Sequence, residues 1–295
     1  MIGITGASGQ FGQRVLHHLL HTLAVPASRI VAATRQPAKL ADWATHGVHV
    51  RALDFDAAAS FGPAFDDVER ALLISTDALD RPGRRLEQHR RAVDALAKAG
   101  VQHVVYTSCP LPDDSPLLLA PDHAGTEQAL AASTLPGFTV LRNHWYFENL
   151  AHFMGAALAS GTWYGADGGQ GSADIARDDL ALAAATVLAG RESGRHTYTL
   201  SGREALTKAE IAERVGATIG RPISVAQVPL EALVQGMVGA GLPAPLARMF
   251  ASFDTNTAAG RVAEVSGDFR RITGRDPQPF GEWLAANKGL FVSHA

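Results

Sequence analysis

The 295-residue sequence has a single cysteine, Cys109, and no long apolar run. One cysteine excludes an intramolecular disulfide and any zinc site built from several thiolates, as is typical of a reducing compartment. Because no apolar stretch approaches the roughly 18 residues that cross a bilayer, we expect no membrane partner. An apolar strand begins at Ile2, so we expect no targeting peptide before it. These absences together predict a cytoplasmic protein.

Charge is also sparse, since charged residues make up 19% of the chain and the formal net charge is -3. No stretch is basic enough to hold nucleic acid, so no such partner is expected. The hydrophobic fraction of 46% is typical of a globular protein with a large core. Among the twelve histidines, the pair His17 and His21 is one helical turn apart but has no nearby carboxylate to complete a metal site. We therefore expect no bound metal.

Glycine is informative in the turn between the first predicted strand and the first predicted helix. Gly6 permits a sharp turn, Gly9 leaves space for a pyrophosphate against the main chain, and Gly12 lets the helix pack closely on the strand. Free backbone N–H groups at the start of the helix favour an anion there. A plain strand–turn–helix could carry the same glycines, but a second strand follows at the distance typical of dinucleotide-binding proteins. We therefore predict that a dinucleotide binds at this turn.

The end of the second predicted strand indicates which dinucleotide is bound. It reads Thr34-Arg35. An acidic residue at this place would bind the ribose hydroxyls of NAD and repel a 2′-phosphate, but the chain has none there. The planar guanidinium of Arg35 can instead bind that phosphate, and Lys39 adds a second positive charge one helical turn later. Both residues could also be ordinary solvated cations. The combination predicts NADPH (NADP) as the cofactor.

Short apolar strands alternate with helical patterns in the first half of the chain. The predicted strands are residues 2–4, 29–34, 48–52, 71–75, 103–108 and 138–142. This alternation predicts the α/β class, with a Rossmann-like doubly wound parallel sheet whose ligands collect at the carboxyl ends of the strands. Residues 1–150 are predicted to form this domain, and residues 172–200 to return to its sheet. Residues 151–171 and 201–295 are predicted to form a smaller C-terminal α/β cap domain.

Several stretches of the sequence resemble those of one known family. They are residues 5–12, 33–39, 104–108, 123–127, 178–185 and, most specifically, 141–149, which read Leu-Arg-Asn-His-Trp-Tyr-Phe-Glu-Asn. Over nearly its whole length the chain is similar to the NmrA-like atypical short-chain dehydrogenases, and within these to the type 2 NADPH:quinone oxidoreductases and triphenylmethane reductases. The resemblance implies a monomeric or homodimeric enzyme that uses NADPH to reduce quinones or related conjugated electrophiles without flavin.

The resemblance also assigns roles to individual residues. The pyrophosphate would be held by Gly6, Ser8, Gly9, Gln10, Phe11 and Gly12. The 2′-phosphate would be held by Arg35, and the rest of the cofactor would be lined by Ser75, Thr76, Ser108, His123 and Asn143. The residues bordering the substrate would be His144, Trp145, Tyr146 and Phe147. His144 stands where the family has glycine, which leaves the size of the pocket and its substrate open.

The chain lacks the tyrosine–lysine pair that ordinary short-chain dehydrogenases use for acid–base catalysis. None of its lysines, Lys39, Lys98, Lys208 and Lys288, lies four residues after a tyrosine. Aligned through Thr126, His123 falls at the lysine position. The absence of this pair argues against alcohol oxidation and sugar epimerisation. It does not argue against quinone reduction, because the phenolate that forms can take a proton from water. His123 could orient the nicotinamide ribose, donate a proton, or have no chemical role.

Three aromatic residues follow the sixth predicted strand, where a planar acceptor would stack on the nicotinamide. Aromatic clusters are usually core, and Phe147 is the most typical core residue of the three, whereas the placement favours substrate contact for Trp145 or Tyr146. The catalytic candidates are thus His123, Asn143 and Tyr146. We predict an enzyme that transfers hydride directly from NADPH to a quinone or similar conjugated electrophile. The alternative is a redox-sensing regulator that binds NADP(H) without turnover.

Overall fold

The computed structural model describes residues 1–292. The strands are β1 (Ile2–Ile4), β2 (Ile30–Thr34), β3 (His49–Ala52), β4 (Arg70–Leu73), β5 (His103–Ser108), β6 (Gly137–Asn143), β7 (Thr162–Gly165), β8 (Arg195–Leu200) and β9 (Ser224–Gln227). A parallel seven-stranded sheet has the order β3-β2-β1-β4-β5-β6-β8, and β7 pairs with β9 in a small second sheet. This doubly wound arrangement confirms the predicted fold class. Because β2 and β4 flank β1 on opposite sides, a crevice is expected at the carboxyl ends of these strands.

The helices are α1 (Gln10–His17), α2 (Ala41–Thr45), α3 (Phe61–Phe65), α4 (Arg84–Lys98), α5 (Ala120–Ala132), α6 (Phe147–Phe153), α7 (Gly155–Ser160), α8 (Arg177–Ala189), α9 (Lys208–Ile219), α10 (Leu230–Gly239), α11 (Ala244–Ala258), α12 (Asp268–Thr273), α13 (Phe280–Ala286) and α14 (Gly289–Val292). Short 3-10 and π-helical turns connect several of these elements. No helix within the described range is long and apolar enough to cross a membrane.

Helices cover both faces of the large sheet, and so the central strands are almost wholly apolar. On one face, Val15 and Leu16 of α1 pack with the alanine-rich α8 against Ile4 and Ile30. On the other face, α3, α4 and α5 enclose a second core. The sheet is thus rigid and buried, which holds the ends of its strands in fixed positions beneath the predicted ligand site.

The elements that pack around the small sheet are here named the cap, and they are β7, β9 and helices α6, α7, α9, α10, α11, α13 and α14. Its main core combines Met154, Trp163, Val215 and Trp283. The α9 helix begins with a capping box in which the Thr207 side chain accepts the Glu210 N–H while the Glu210 side chain accepts the Thr207 N–H. Such reciprocal bonds stabilise the start of a helix.

Two features depart from the sequence-based expectations. The helix α12 falls within residues 201–295, yet it packs on the large sheet, because Phe269 is fully buried in the core beneath α1 and α8. The Asp268 carboxylate also accepts the Thr199 N–H of β8 at 2.9 Å. The second feature is β7, which lies in a glycine-containing stretch where no strand was predicted. Its register with β9, from Thr162 with Ser224 onward, depends on a partner far along the chain.

Candidate active site

The glycine turn joins β1 to α1 in a compact loop. Gly6 has φ of +58°, a left-handed conformation that favours glycine. Its carbonyl accepts the Gly9 N–H at 2.9 Å. A Cβ on Gly12 would lie 2.5 Å from the Gly6 oxygen and 2.7 Å from the Ala7 Cα, so only glycine fits there. The first turn of α1 therefore begins directly against the loop, and free N–H groups at such a helix start favour an anion.

Side chains anchor this turn to the neighbouring strand. The Ser8 and Thr34 hydroxyls lie 2.6 Å apart, and the Ala7 N–H donates to the Ala33 oxygen at 3.1 Å. The Phe11 side chain is buried in the core, which leaves its backbone as the part available to a pyrophosphate. The turn and the end of β2 thus form one rigid edge.

The two predicted phosphate-binding cations lie just beyond that edge. Arg35 is 64% exposed and makes a 3.6 Å ion pair with Asp77. Lys39 lies exposed in the short helical turn Pro37–Leu40. Because exposed ion pairs contribute little free energy, Asp77 is a weak competitor for Arg35. Binding of the 2′-phosphate by these residues stays a prediction.

The next strand ends carry Ser75, Thr76 and Ser108. The Ser75 N–H donates to the Thr107 hydroxyl at 2.9 Å, just past the end of β4. The Thr76 hydroxyl is buried and has no hydrogen-bond partner in the described part of the chain. The Ser108 hydroxyl instead donates to Glu127 at 2.6 Å, and Glu127 also holds Arg142 through two hydrogen bonds. Contact between Ser108 and a cofactor would therefore compete with this internal arrangement.

A buried hydrogen-bond network surrounds His123. Its Nε2 accepts from the Arg85 guanidinium at 3.1 Å, so its Nδ1 carries the hydrogen and donates to the Tyr106 hydroxyl at 2.8 Å. His89 accepts the Thr76 N–H at Nε2 and therefore donates from Nδ1 to Thr126. Burial, aided by the charge of Arg85, lowers the pKa of His89 to about 3 and that of His123 well below its usual value. Both rings are neutral, which disfavours proton donation by a charged His123 near neutral pH.

Asn143 and His144 end β6 and begin the loop after it. Within residues 1–292 neither buried polar atom of the Asn143 side chain makes a well-formed hydrogen bond. The amide nevertheless lies close enough to the Tyr146 hydroxyl to oppose the rise in the pKa of Tyr146 that burial causes. Leaving a buried amide unpaired is costly. A carboxamide such as that of nicotinamide supplies the matching donor and acceptor. His144 is buried too, with its pKa lowered to about 4 by burial, and its side chain does not line the cavity described below.

The aromatic segment divides between the site and the core. The Trp145 and Tyr146 rings stack at 6.3 Å between centroids, and Trp145 also contacts the Phe253 ring at 3.9 Å. Phe147 is 3% exposed and packs against Phe280 and Trp283 in the cap core. The first turn of α6 directs the Phe147 side chain into the cap, which favours the core role over substrate contact; the contact itself stays a prediction.

Arg177, at the start of α8, is a site residue that the sequence analysis missed. Its guanidinium lies 5.2 Å from the centre of the Tyr146 ring and donates to Gln10 at 2.5 Å. Its backbone N–H donates to Glu148 at 3.0 Å. Arg177 thus links the glycine turn to the segment after β6. No local pattern indicates this role, since its partner Gln10 is 167 residues away.

Beyond Trp145 the cap encloses a cavity of about 870 Å³. Its apolar wall includes Trp145, Phe153, Trp163, Met237, Phe250 and Phe253. One end is polar, where the Lys208 ammonium pairs with Asp254 at 2.6 Å and Asp167 at 3.1 Å. Asp174 also lines the cavity and accepts from Ser172, and burial raises the pKa of this carboxyl to about 6. A planar apolar molecule fits such a wall.

Comparison with known proteins agrees with this architecture. Quinone oxidoreductase 2 of Escherichia coli (strain K12) is 36% identical over 282 residues, 96% of each chain. The crystal structure of an Escherichia coli NADPH-dependent quinone oxidoreductase with NADPH matches with a TM-score of 0.91 at 36% identity, covering 97% of this chain and 99% of that one. Triphenylmethane reductase of Citrobacter sp. complexed with NADP(H) gives 0.89 at 32% identity, covering 98% and 100%. The NmrA-like family matches residues 1–284. The resemblance predicted from the motifs is thereby confirmed, and this chain belongs to the NmrA-like family.

Proposed function

We propose that this protein is an NADPH-dependent oxidoreductase that transfers hydride directly to quinones or similar planar electrophiles, without flavin or metal. The observation that carries the proposal is the position of two adjacent residues. Tyr146 is joined through Arg177 to Gln10 of the glycine turn, while Trp145 lines the apolar cavity. A cofactor on the turn and an acceptor in the cavity would therefore meet at this pair. Relatives with bound NADPH or NADP(H) support the choice of cofactor.

Residues of this chain are suited to holding such a cofactor along its length. Backbone N–H groups of the turn suit the pyrophosphate, Arg35 and Lys39 suit the 2′-phosphate, and the unpaired amide of Asn143 suits the carboxamide. When bound, NADPH supplies a hydride to the acceptor. The protein then orients the acceptor and excludes water, which is catalysis by proximity. Both nitrogens of the neutral His123 are engaged by Tyr106 and Arg85, so this ring positions those two side chains and has no free nitrogen for the ribose.

The decisive test is oxidation of NADPH by the purified, flavin-free protein with benzoquinones, naphthoquinones and a triarylmethane dye. We expect loss of NADPH absorbance together with formation of one hydroquinone per NADPH. Tight NADPH binding without turnover of any acceptor would instead support the redox-sensing regulator. Equal rates with and without added flavin would support direct transfer.

We also propose that the protein is a monomer or homodimer that acts in the cytoplasm on a small molecule. The similarity to a quinone oxidoreductase over 96% of the chain supports a small-molecule acceptor. Sedimentation equilibrium of the purified protein gives its mass directly, and fractionation of the source cells gives its location. A stable assembly larger than a dimer, or recovery with membranes, would contradict these proposals.

A further inference from the structure

Two neighbouring arginines at the start of α4 have opposite surroundings. Arg84 lies at the surface, where it pairs with Asp56 at 2.5 Å and Asp80 at 2.7 Å. Arg85 is 6% exposed. Within residues 1–292 no carboxylate lies within 4.0 Å of its guanidinium, its one hydrogen bond goes to His123, and its Nε is buried without a partner. The charge of Arg85 acts on the pKa of the nearby Asp122 carboxyl, which burial raises, but no ion pair within 4.0 Å joins the two, so the guanidinium has no direct counter-ion in the described part of the chain.

Such an arrangement is costly unless something else supplies the negative charge. Buried arginines are nearly always paired, because removing a lone charge from water is costly. The partner of Arg85 is a neutral imidazole, since burial and the arginine itself lower the pKa of His123. Most of the N–H donors of the guanidinium thus remain available for an anion that is not part of the protein.

Arg85 lies at the carboxyl ends of the central strands. One turn along α4, His89 accepts the Thr76 N–H just beyond β4, which fixes this helix against the strand ends. His123 connects the guanidinium to Tyr106 of β5. The charge of Arg85 also reaches Tyr146, where it opposes the rise in pKa caused by burial. Arg85 is not among the residues that line the cavity beyond Trp145, but it bonds to His123, which is predicted to lie at the nicotinamide ribose and not at the Arg35 edge.

The proposed reaction creates an anion on that side. A quinone that receives a hydride gains one hydrogen nucleus and two electrons, while the nicotinamide is oxidised to NADP⁺. As the hydride bonds to one quinone oxygen, both carbonyl π bonds break, the ring becomes aromatic, and the second oxygen is left with the electron pair as a phenolate. A proton from water then completes the hydroquinone. The phosphates of the cofactor have other candidate ligands, so this transient phenolate is the anion without a partner.

We propose that Arg85 stabilises the oxyanion that forms on the acceptor, which makes it a catalytic residue for the proposed reductase. This inference rests on the proposed function. A fixed cation aimed at developing charge in a site shielded from water lowers the barrier more than it strengthens ground-state binding. The neutral His123 holds the guanidinium in place without cancelling its charge.

Kinetics of Arg85→Gln, compared with the matched control Arg84→Gln, test the proposal. Removing one oxyanion donor lowers kcat by about 100-fold in other enzymes, and we expect a loss of that order, with Arg85→Lys intermediate. The dissociation constant of NADPH, measured by fluorescence, should stay within about twofold. Arg84→Gln should retain wild-type kcat. Unchanged kcat in folded Arg85→Gln, or a loss of NADPH affinity as large as the loss of kcat, would overturn the assignment.

A binding measurement tests the same site without turnover. We would titrate 4-nitrophenol, whose phenolate absorbs visible light, on the protein saturated with NADP⁺. A nearby arginine lowers the pKa of an acid by about 1–3 units. At a suitable pH, the wild-type and Arg84→Gln proteins should therefore bind 4-nitrophenol as the phenolate, whereas Arg85→Gln should bind it as the phenol. Equal phenolate fractions in all three proteins would refute the inference. The wild-type protein could select the phenolate and yet reduce no acceptor. That result would support the anion site at Arg85 and contradict only the proposed reductase activity.

Discussion

At the glycine turn the contacts come from main-chain atoms within seven residues, Gly6 to Gly12, whereas the cavity wall is assembled from side chains between Trp145 and Val262. The turn depends on the absence of side chains. The cavity depends on which side chains are present. One region is therefore intolerant of a single added methyl group, and the other can be reshaped by substitution without disturbing the cofactor site.

This difference suggests how related reductases acquire different acceptors. The relatives include a quinone oxidoreductase at 36% identity and an NAD(P)H azoreductase at 25% identity. A cofactor held by backbone groups can stay in place while the opposite wall changes. The cavity here is apolar with one polar end, so its side chains offer several ways to alter the acceptor.

The largest expected effect concerns the polar end of the cavity. Burial raises the pKa of Asp174 from 3.8 to about 6, so the folded state binds more protons than the unfolded chain between those values. Stability should therefore fall as pH rises from about 4 to 6, and Asp174→Asn should gain up to about 3 kcal/mol relative to wild type over that range. Urea unfolding at several pH values measures this difference.

The control for that experiment is Asp178→Asn, where the sign is opposite. Hydrogen bonds and charge from His18 and Arg14 lower the pKa of Asp178 to about 2. Its stabilising contribution should be present above about pH 4 and should be lost as pH falls towards 2. A pH-independent difference between Asp174→Asn and wild type would contradict the raised pKa of the buried Asp174.

At the turn, Gly12→Ala should weaken NADPH binding by about 30-fold. The new Cβ would lie 2.5 Å from the Gly6 oxygen, and overpacking of this kind costs about 2 kcal/mol. Isothermal titration with NADPH measures the loss. Gly281→Ala is the matched control, because its Cβ would meet nothing within 4 Å. Equal affinities in the two variants would show that the turn is not the pyrophosphate site.

At the edge beside the turn, Arg35→Asp should raise the KM for NADPH at least about tenfold and leave that for NADH nearly unchanged. The substitution places a negative charge where the 2′-phosphate is expected. Steady-state kinetics with both cofactors separate the outcomes. Equal losses for NADPH and NADH would show that Arg35 does not bind this phosphate.

The smallest effect is expected on the cavity side. Trp145→Leu should raise the KM for aromatic acceptors by about fivefold, since aromatic stacking contributes about 1 kcal/mol. The KM for NADPH should not change, because the wall and the turn are separate regions. A matched loss for both substrates would show that Trp145 supports the cofactor instead, and would break the comparison drawn above.

Much of this architecture could be predicted where neighbouring residues carry the information. The order of strands and helices, the turn at Gly6 and the capping box at Thr207 each follow from patterns within a few residues. By contrast, the strand β7 was not predicted, and the packing of α12 on the large sheet was not foreseen. A short strand or helix takes its position from partners that are distant in the sequence. Phe147 shows that the surroundings of a side chain are equally hard to predict from its neighbours in sequence. Its ring packs against Phe280, whereas the adjacent Tyr146 ring stacks on Trp145.

The sequence by itself determined that this is a doubly wound α/β protein of the NmrA-like family with a glycine turn suited to a dinucleotide. Backbone conformation and hydrophobic periodicity are local properties, and they are written into consecutive residues. Only the tertiary structure brought Arg177 to Gln10, enclosed the cavity beyond Trp145, and buried Arg85 with no carboxylate bonded to it among residues 1–292. Electrostatic and packing environments depend on what surrounds a side chain in space, which no single stretch of sequence specifies.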